Sequence, residues 1–106
     1  MTSISQGFAA EQGAKIAETI TSRGANYAAP EVNFDRIAEF WRMWIRWRYG
    51  IEVPLTAFDA GMMQAGIKLS RQSETPFHQD SALDGAAYWL LGVGCELDAR
   101  VREQGS

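Results

Sequence analysis

The segment from Glu31 to Tyr49 constrains this chain more than any other. Phe34, Ile37, Ala38, Trp41, Trp44 and Ile45 recur there at three- and four-residue steps, which places them on one face of an α-helix. A second row, Phe40, Met43 and Trp47, falls on a different side of the same helix. A helix that is apolar over more than one face has to be covered from more than one direction. It therefore belongs inside an assembly of helices rather than on the rim of a sheet. Gly50 stops it.

The rest of the chain supplies partners of the same kind. Between Phe8 and Thr21 the apolar positions Phe8, Ala9, Ile16, Ala17 and Ile20 are loosely periodic around Gly13, and they predict a first helix. Ser22 to Pro30 reads as a loop, because Gly24 admits positive φ and Pro30 turns Ala29 away from helix. A third helix opens at Val53-Pro54-Leu55-Thr56, with Thr56 as N-cap and Asp59 as its acidic partner three residues on. Its core face is expected to be Phe58, Met62, Ala65 and Leu69, with Met63 and Ile67 beside it, and it ends near Gln72. Ser73-Glu74-Thr75-Pro76 reads as the next loop. A fourth helix runs from about Gln79 to Arg102, with Leu83, Ala86, Ala87, Leu90, Leu91, Gly94, Leu97 and Val101 at helical spacing. Gly92 and Gly94 in it would let another helix come close. No segment alternates with the two-residue period of a strand. The expected fold is all-α: one domain over residues 1–106, a small bundle of about four helices with no β-sheet, and frayed ends at 1–7 and 103–106. Short loops make sequential helices antiparallel neighbours.

Charge narrows the function classes. A net charge of −3 argues against general affinity for DNA, RNA or anionic membrane, each of which wants a basic surface. The local group of Arg42, Arg46 and Arg48, mixed with Trp44 and Trp47, resembles an anion surface, but arginine stems covering a solvated helix face are commoner. The single Cys95 lies in an apolar stretch and has no internal disulfide partner, as for a buried thiol in a reducing compartment. There is neither a membrane-length apolar run nor the basic-then-apolar pattern of a secretion signal, so the expected location is the cytoplasm.

One His and one Cys, far apart, cannot supply a zinc set, and His78 is the sole imidazole available to a nucleophilic triad. What remains is a polar constellation late in the chain. Lys68 and Arg71 are three residues apart and Asp80 and Asp84 four apart, so each pair shares a helix face. The short loop between the two helices brings the basic pair near the acidic pair. Asp80 and Asp84 together suit Mg²⁺, a hard cation that takes carboxylate and water oxygens. Lys68 and Arg71 then suit phosphate. The simpler alternative is structural: Asp80 caps its helix and Asp84 pairs with Lys68 across the bundle. Asp59 is read first as a capping residue and second as a ligand, and Asn33 first as a cap. The stripe of Phe40, Met43 and Trp47 reads as a subunit interface, since aromatic residues, Met and Arg are enriched there.

With these residues in view, the chain resembles a family of small all-α domains encoded by bacteriophages and prophages. The family pattern is R-x-x-x-Y-G-x-P-x-x-N-F-x-x-I-A-x-x-W, then T-x-x-D-x-x-x-M-M-x-x-x-K-x-x-R, then D-x-x-x-D-x-x-G-Y. Arg23, Tyr27, Pro30, Asn33, Phe34, Ile37, Ala38 and Trp41 stand in the first block. Thr56, Asp59, Met63, Lys68 and Arg71 stand in the second, and Asp80, Asp84 and Tyr88 in the third. Ala28, Gln64 and Ala87 depart from it. Through its helical composition and paired acids that family is distantly similar to the MazG-like all-α nucleoside triphosphate pyrophosphohydrolases, although their E-x-x-E and E-x-x-D motifs do not occur here in that form. The resemblance implies a phage-type protein working in the host-cell cytoplasm.

Two functional expectations follow. In the first, the protein binds or hydrolyses a nucleotide with Mg²⁺. Asp80, Asp84 and Asp59 hold the metal, Asp84 and Lys68 form the catalytic pair, and Arg71, Asn33, Trp41 and Tyr88 bind the substrate, with cleavage by a metal-activated water. In the second, it is a non-enzymatic protein that binds a host or phage protein, including a component of a defence system, through the aromatic helix face. Both include self-association, with a dimer as the expected form.

Overall fold

The computed structural model describes residues 3–23 and 29–105. It contains four helices, α1 (Ile4–Arg23), α2 (Pro30–Tyr49), α3 (Ala57–Glu74) and α4 (Gln79–Gln104), and no strand among the described residues. The fold is the all-α bundle that the periodicity predicts. Four boundaries differ from the expectation, one of them at the end of α4, which runs on through Glu103 and Gln104 into the stretch expected to fray. Helix α1 begins at Ile4, inside the segment expected to fray, and runs on through Ser22 and Arg23. The middle of the expected loop, with Tyr27 and Ala28, lies outside the described residues. Ser73 and Glu74 continue α3 instead of opening the next loop.

The α3–α4 hairpin is the structural centre. Its two backbones nearly touch where Gly61 faces Gly92. A Cβ on Gly61 would fall 2.6 Å from the Gly92 Cα and 2.9 Å from the Tyr88 carbonyl oxygen. One heptad nearer the connecting loop on each helix, a Cβ on Gly85 would fall 3.3 Å from the Lys68 Cβ. Small residues thus line the contact, and Ala60, Gly61 and Gly92 are buried. This corrects the core face expected for α3. Leu69 and Ile67 are exposed and Phe58, Met62 and Ala65 are half-buried, because the close approach turns the small side of α3 toward α4. On α4 the same rotation leaves Leu90, Leu97 and Val101 outside. Gly92 admits the neighbour as expected, whereas the space beside Gly94 is open.

Helix α2 lies across this hairpin. Phe34 and Ala38 join Ala60 and Cys95 in the core, with Ile37, Trp41, Leu55, Tyr88 and Leu91 packed against them. The Phe34 and Tyr88 rings meet at 6.2 Å in a tilted arrangement. Both buried residues of α2 sit in its first half. Trp44, expected on the core face, is instead exposed in the second half. Helix α1 packs on α4 alone among the described elements.

Caps fix where the helices start and stop. Gly50 closes α2 in the left-handed region at φ 68°, donating its N–H to the Arg46 carbonyl. The Thr56–Asp59 pair opens α3, where the Asp59 carboxylate accepts from the Thr56 N–H at 2.8 Å and from its hydroxyl at 3.2 Å. Two other cap assignments are corrected. Asn33 does not cap α2, because Pro30 at the first helical position starts the helix earlier, with Ala29 as N-cap. Asp80 does not cap α4; His78 does, and Asp80 stands in the first turn.

The Gly61–Gly92 approach can be tested directly. Alanine is better than glycine in a helix interior by about 1 kcal/mol. Gly13→Ala in α1, where the added Cβ meets nothing within 4 Å, should therefore stabilise by up to about that amount. Gly61→Ala should destabilise by about 1–3 kcal/mol, since the overlap is with backbone rather than with a movable side chain. Thermal and urea unfolding of the two variants against the parent chain checks the opposite signs.

Candidate functional site

The polar constellation sits at the closed end of the hairpin, and the structure brings together part of it. Lys68 on α3 meets Asp84 on α4, Nζ to Oδ2 3.4 Å, one turn from the start of α4. The absence of a side chain on Gly85 is what leaves room for Lys68 on this inner face. About a third of the Lys68 side chain and half of the Asp84 side chain remain exposed. Exposed pairs of this kind contribute roughly 0–1 kcal/mol, so the pair holds register more than it adds stability.

The loop itself is clipped by Gln72. Its side-chain nitrogen donates to the His78 carbonyl at 2.7 Å, and its side-chain oxygen accepts from the His78 N–H at 3.1 Å. The His78 ring then accepts from the Ser81 backbone N–H at 3.1 Å and sits 2.8 Å from its hydroxyl. Ser81 is buried beneath this cluster. Phe77, the one described non-glycine residue with positive φ at 67°, points into solvent from the same turn. Sequence reasoning missed Gln72, Ser81 and the cap role of His78. The signal in hand was the lone imidazole just ahead of a helix start.

The remaining site residues are dispersed. Asp59 is occupied in the cap at the far end of α3, away from Asp80 and Asp84. Among the described residues no group of three or more His, Cys, Asp or Glu side chains is placed to hold a metal ion. The donor set for Mg²⁺ therefore reduces to Asp80 and Asp84 on successive turns of one helix, and Asp84 is shared with Lys68. Arg71 and Asp80 are exposed, and no ion pair joins either to another described residue. Trp41 and Tyr88 are packed on the core, and Asn33 is exposed on α2.

Two concavities flank the hairpin. One is an apolar groove of about 440 Å³ between α3 and α4, walled by Met62, Leu69, Ala82, Ala86 and Trp89, with Lys68 in its lining. The other, of about 600 Å³, lies between the first turns of α2 and the C-terminal half of α4. It is more polar, with Glu31, Asp35, Arg36, Glu96 and Arg102 around Cys95. Burial pushes the Cys95 thiol up from its ordinary range, reinforced by Glu31, Asp98 and Asp35 and opposed by Arg102.

The third surface is the outer side of α2. Phe40, Trp44 and Trp47 are 61%, 53% and 65% exposed, and Met43 lies half-buried among them. Arg36 stands one turn before Phe40, and Arg48 covers the Tyr49 ring at 5.0 Å. Arg42 does not join this surface: its guanidinium donates to the Leu55 carbonyl and ties α2 to the linker before α3. Arg46 pairs with Glu52 at 3.7 Å. No helix is long and apolar enough to cross a membrane among the described residues.

A family model described as a domain of unknown function, DUF6378, matches residues 14–96. The match takes in the second half of α1, all of α2 and α3, and α4 as far as Glu96. No curated protein and no solved structure matches the chain.

Cys95 gives a test of the buried side of this region. The folded chain should react with a thiol reagent near pH 8 at least about tenfold more slowly than the chain in denaturant, because the thiolate is the reacting form. A raised folded pKa also has a sign: the unfolded chain releases the thiol proton first, so stability present below the ordinary thiol range is lost as pH rises through it. Equal labelling rates in the two states would contradict the burial.

Proposed function

The chain belongs to the DUF6378 family, and we propose that it is a non-enzymatic protein-binding module whose receptor surface is the outer side of α2. One observation carries this reading: Phe40, Trp44 and Trp47 stand in a row with more than half of each side chain in water. Full burial of a large apolar side chain is worth roughly 1.5–3 kcal/mol, so leaving more than half of each of these three solvated forgoes about half of that apiece. Trp, Tyr and Arg are also the residue types that dominate binding energy at protein interfaces. Arg36 and Arg48 beside the row favour a partner segment that is apolar with acidic flanks. The partner proposed is a host or phage protein that carries such a segment.

Trp47→Glu tests the reading without touching the core. The variant should keep its helical content and melting temperature while losing capture of partner proteins from lysate at least about tenfold, as expected for loss of a central interface aromatic. Capture unchanged by Trp47→Glu, and again by Trp44→Glu, would sink the proposal.

The nucleotide reading keeps one favourable observation of its own: Lys68 stands in the wall of an apolar groove that also presents Trp89, a pairing of phosphate-seeking cation with stacking surface. Asp80 and Asp84 on the neighbouring turns would then share Mg²⁺ with the phosphates. Thermal shift with a panel of nucleoside triphosphates and Mg²⁺ decides it. The expected positive result is a shift that Lys68→Met removes; no shift with any nucleotide ends this reading and leaves the first intact.

A further inference from the structure

We infer that the apolar groove between α3 and α4 receives the Phe77 ring of a second copy of this chain, the two copies exchanging rings reciprocally. The surface is separate from the α2 stripe, and the inference does not rest on the function proposed above. Phe77 stands in the turn between the two helices and is 93% exposed. Its backbone lies in the left-handed region at φ 67°, where a bulky side chain is an outlier. Full exposure and an unfavourable backbone conformation both count against the residue, and within one chain nothing offsets them. Strain of this kind is held where the presented group has a use. The turn also keeps the ring in place. Gln72 bonds both backbone groups of His78, and the His78 N–H also reaches the Thr75 carbonyl at 3.2 Å. A ring held at a set position loses little freedom when it is bound.

The groove suits such a ring. It encloses about 440 Å³ between Met62 and Leu69 on α3 and Ala82, Ala86 and Trp89 on α4. Its few polar groups are already spent inside the chain. Lys68 meets Asp84 at 3.4 Å, Gln72 holds His78 at 2.7 and 3.1 Å, and the Ser81 hydroxyl sits 2.8 Å from the His78 ring. A ligand rich in donors and acceptors would bury them unpaired against these walls, whereas an uncharged ring strands nothing. Trp89, itself 62% exposed, offers an aromatic partner for edge-to-face or offset packing. A nucleotide seated here would exclude the ring.

Ring and groove belong to the same end of the hairpin, which is what selects a second copy. Gln72 and Ser81 line the groove on either side of the turn that carries Phe77. Phe77 does not fill the groove of its own chain, since its ring stands in water. One twofold axis beside the turn brings each ring to the other chain's groove. That contact is isologous and closes after two copies. The one charged residue in the lining is Lys68, already paired, so like-charged chains meet there without repulsion.

The full chain should sediment as a dimer at about 100 μM, a concentration that fills any pair of micromolar affinity. In a mixture of isotope-labelled and unlabelled chains, the Phe77 ring should show intermolecular NOEs to the Ala82 and Ala86 methyl groups. Phe77→Gly relieves the backbone and removes the ring, so it should keep the helical content while weakening the dimer at least about tenfold. Ala86→Trp, which fills the groove and leaves the ring intact, should dissociate the dimer as well. A parent chain that sediments as monomer would overturn the inference, and so would a dimer unchanged by Phe77→Gly. A dimer lost in Phe77→Gly but kept in Ala86→Trp would seat the ring elsewhere and overturn it too. A dimer dissociated by Trp47→Glu and not by Phe77→Gly would place self-association on α2 and refute the exchange.

Discussion

The near-contact of backbones at Gly61 and Gly92 is the constraint from which the rest of the structure follows. With no Cβ on either residue, α3 and α4 approach more closely than helices bearing leucines can, since ordinary helix pairs stay 8–10 Å apart. A crossing that tight admits little sliding, so it fixes the register of the hairpin. The register places Lys68 opposite Gly85 and Gln72 beside the start of α4. It also decides which sides of the helices face in. Small residues occupy the contact, and the large ones are turned away from it. Leu69, Leu90 and Leu97 are therefore exposed because of how the centre packs, not because the sequence lacks a core.

Polar residues at the closed end are mostly committed to holding that geometry. Gln72 satisfies both backbone groups of His78, and His78 in turn satisfies the first turn of α4. Asp59 does the corresponding work at the start of α3. Lys68 and Asp84 neutralise each other across the interface. Groups employed in this way are poor candidates for chemistry, because binding a ligand would first have to free them. Apart from Arg71 and Asp80, what the fold leaves unemployed is apolar: the outer side of α2, the outer side of α4 and the groove beside Trp89.

Helical periodicity made the number, order and approximate limits of the helices legible in the sequence. The Thr56–Asp59 cap was legible too, because both residues have strong positional preferences. The Lys68–Asp84 pair followed from spacing plus a short loop. Periodicity does not say which of two apolar faces turns inward, and there the reading of α3 and α4 failed. Spacing groups Leu69 with Phe58, Met62 and Ala65, whereas Gly61 has no side chain to register in an apolar pattern, and it is at Gly61 that the helices meet. Trp44 was misplaced for a related reason: the pattern of α2 continues past the point where α3 and α4 end their support. Asn33 has the chemistry of a cap, yet Pro30 had already started the helix. The dispersal of Asn33, Trp41 and Tyr88 depends on long-range packing, which local spacing does not contain.

A small domain with two apolar surfaces faces a choice between open and closed assembly. If the α2 stripe of one copy sat on the α4 row of the next, the contact would be head-to-tail, and nothing in it would stop a filament from growing. A face that pairs with its own image closes after two chains. Both rows carry alternating three- and four-residue steps, Phe40, Met43 and Trp47 on α2 and Leu83, Ala86, Leu90, Val93 and Leu97 on α4, so spacing does not choose between them. They face outward for different physical reasons. The glycine contact turns the α4 leucines away from α3, whereas the α2 row is bare because its helix runs on past the hairpin that supports Phe34 and Ala38.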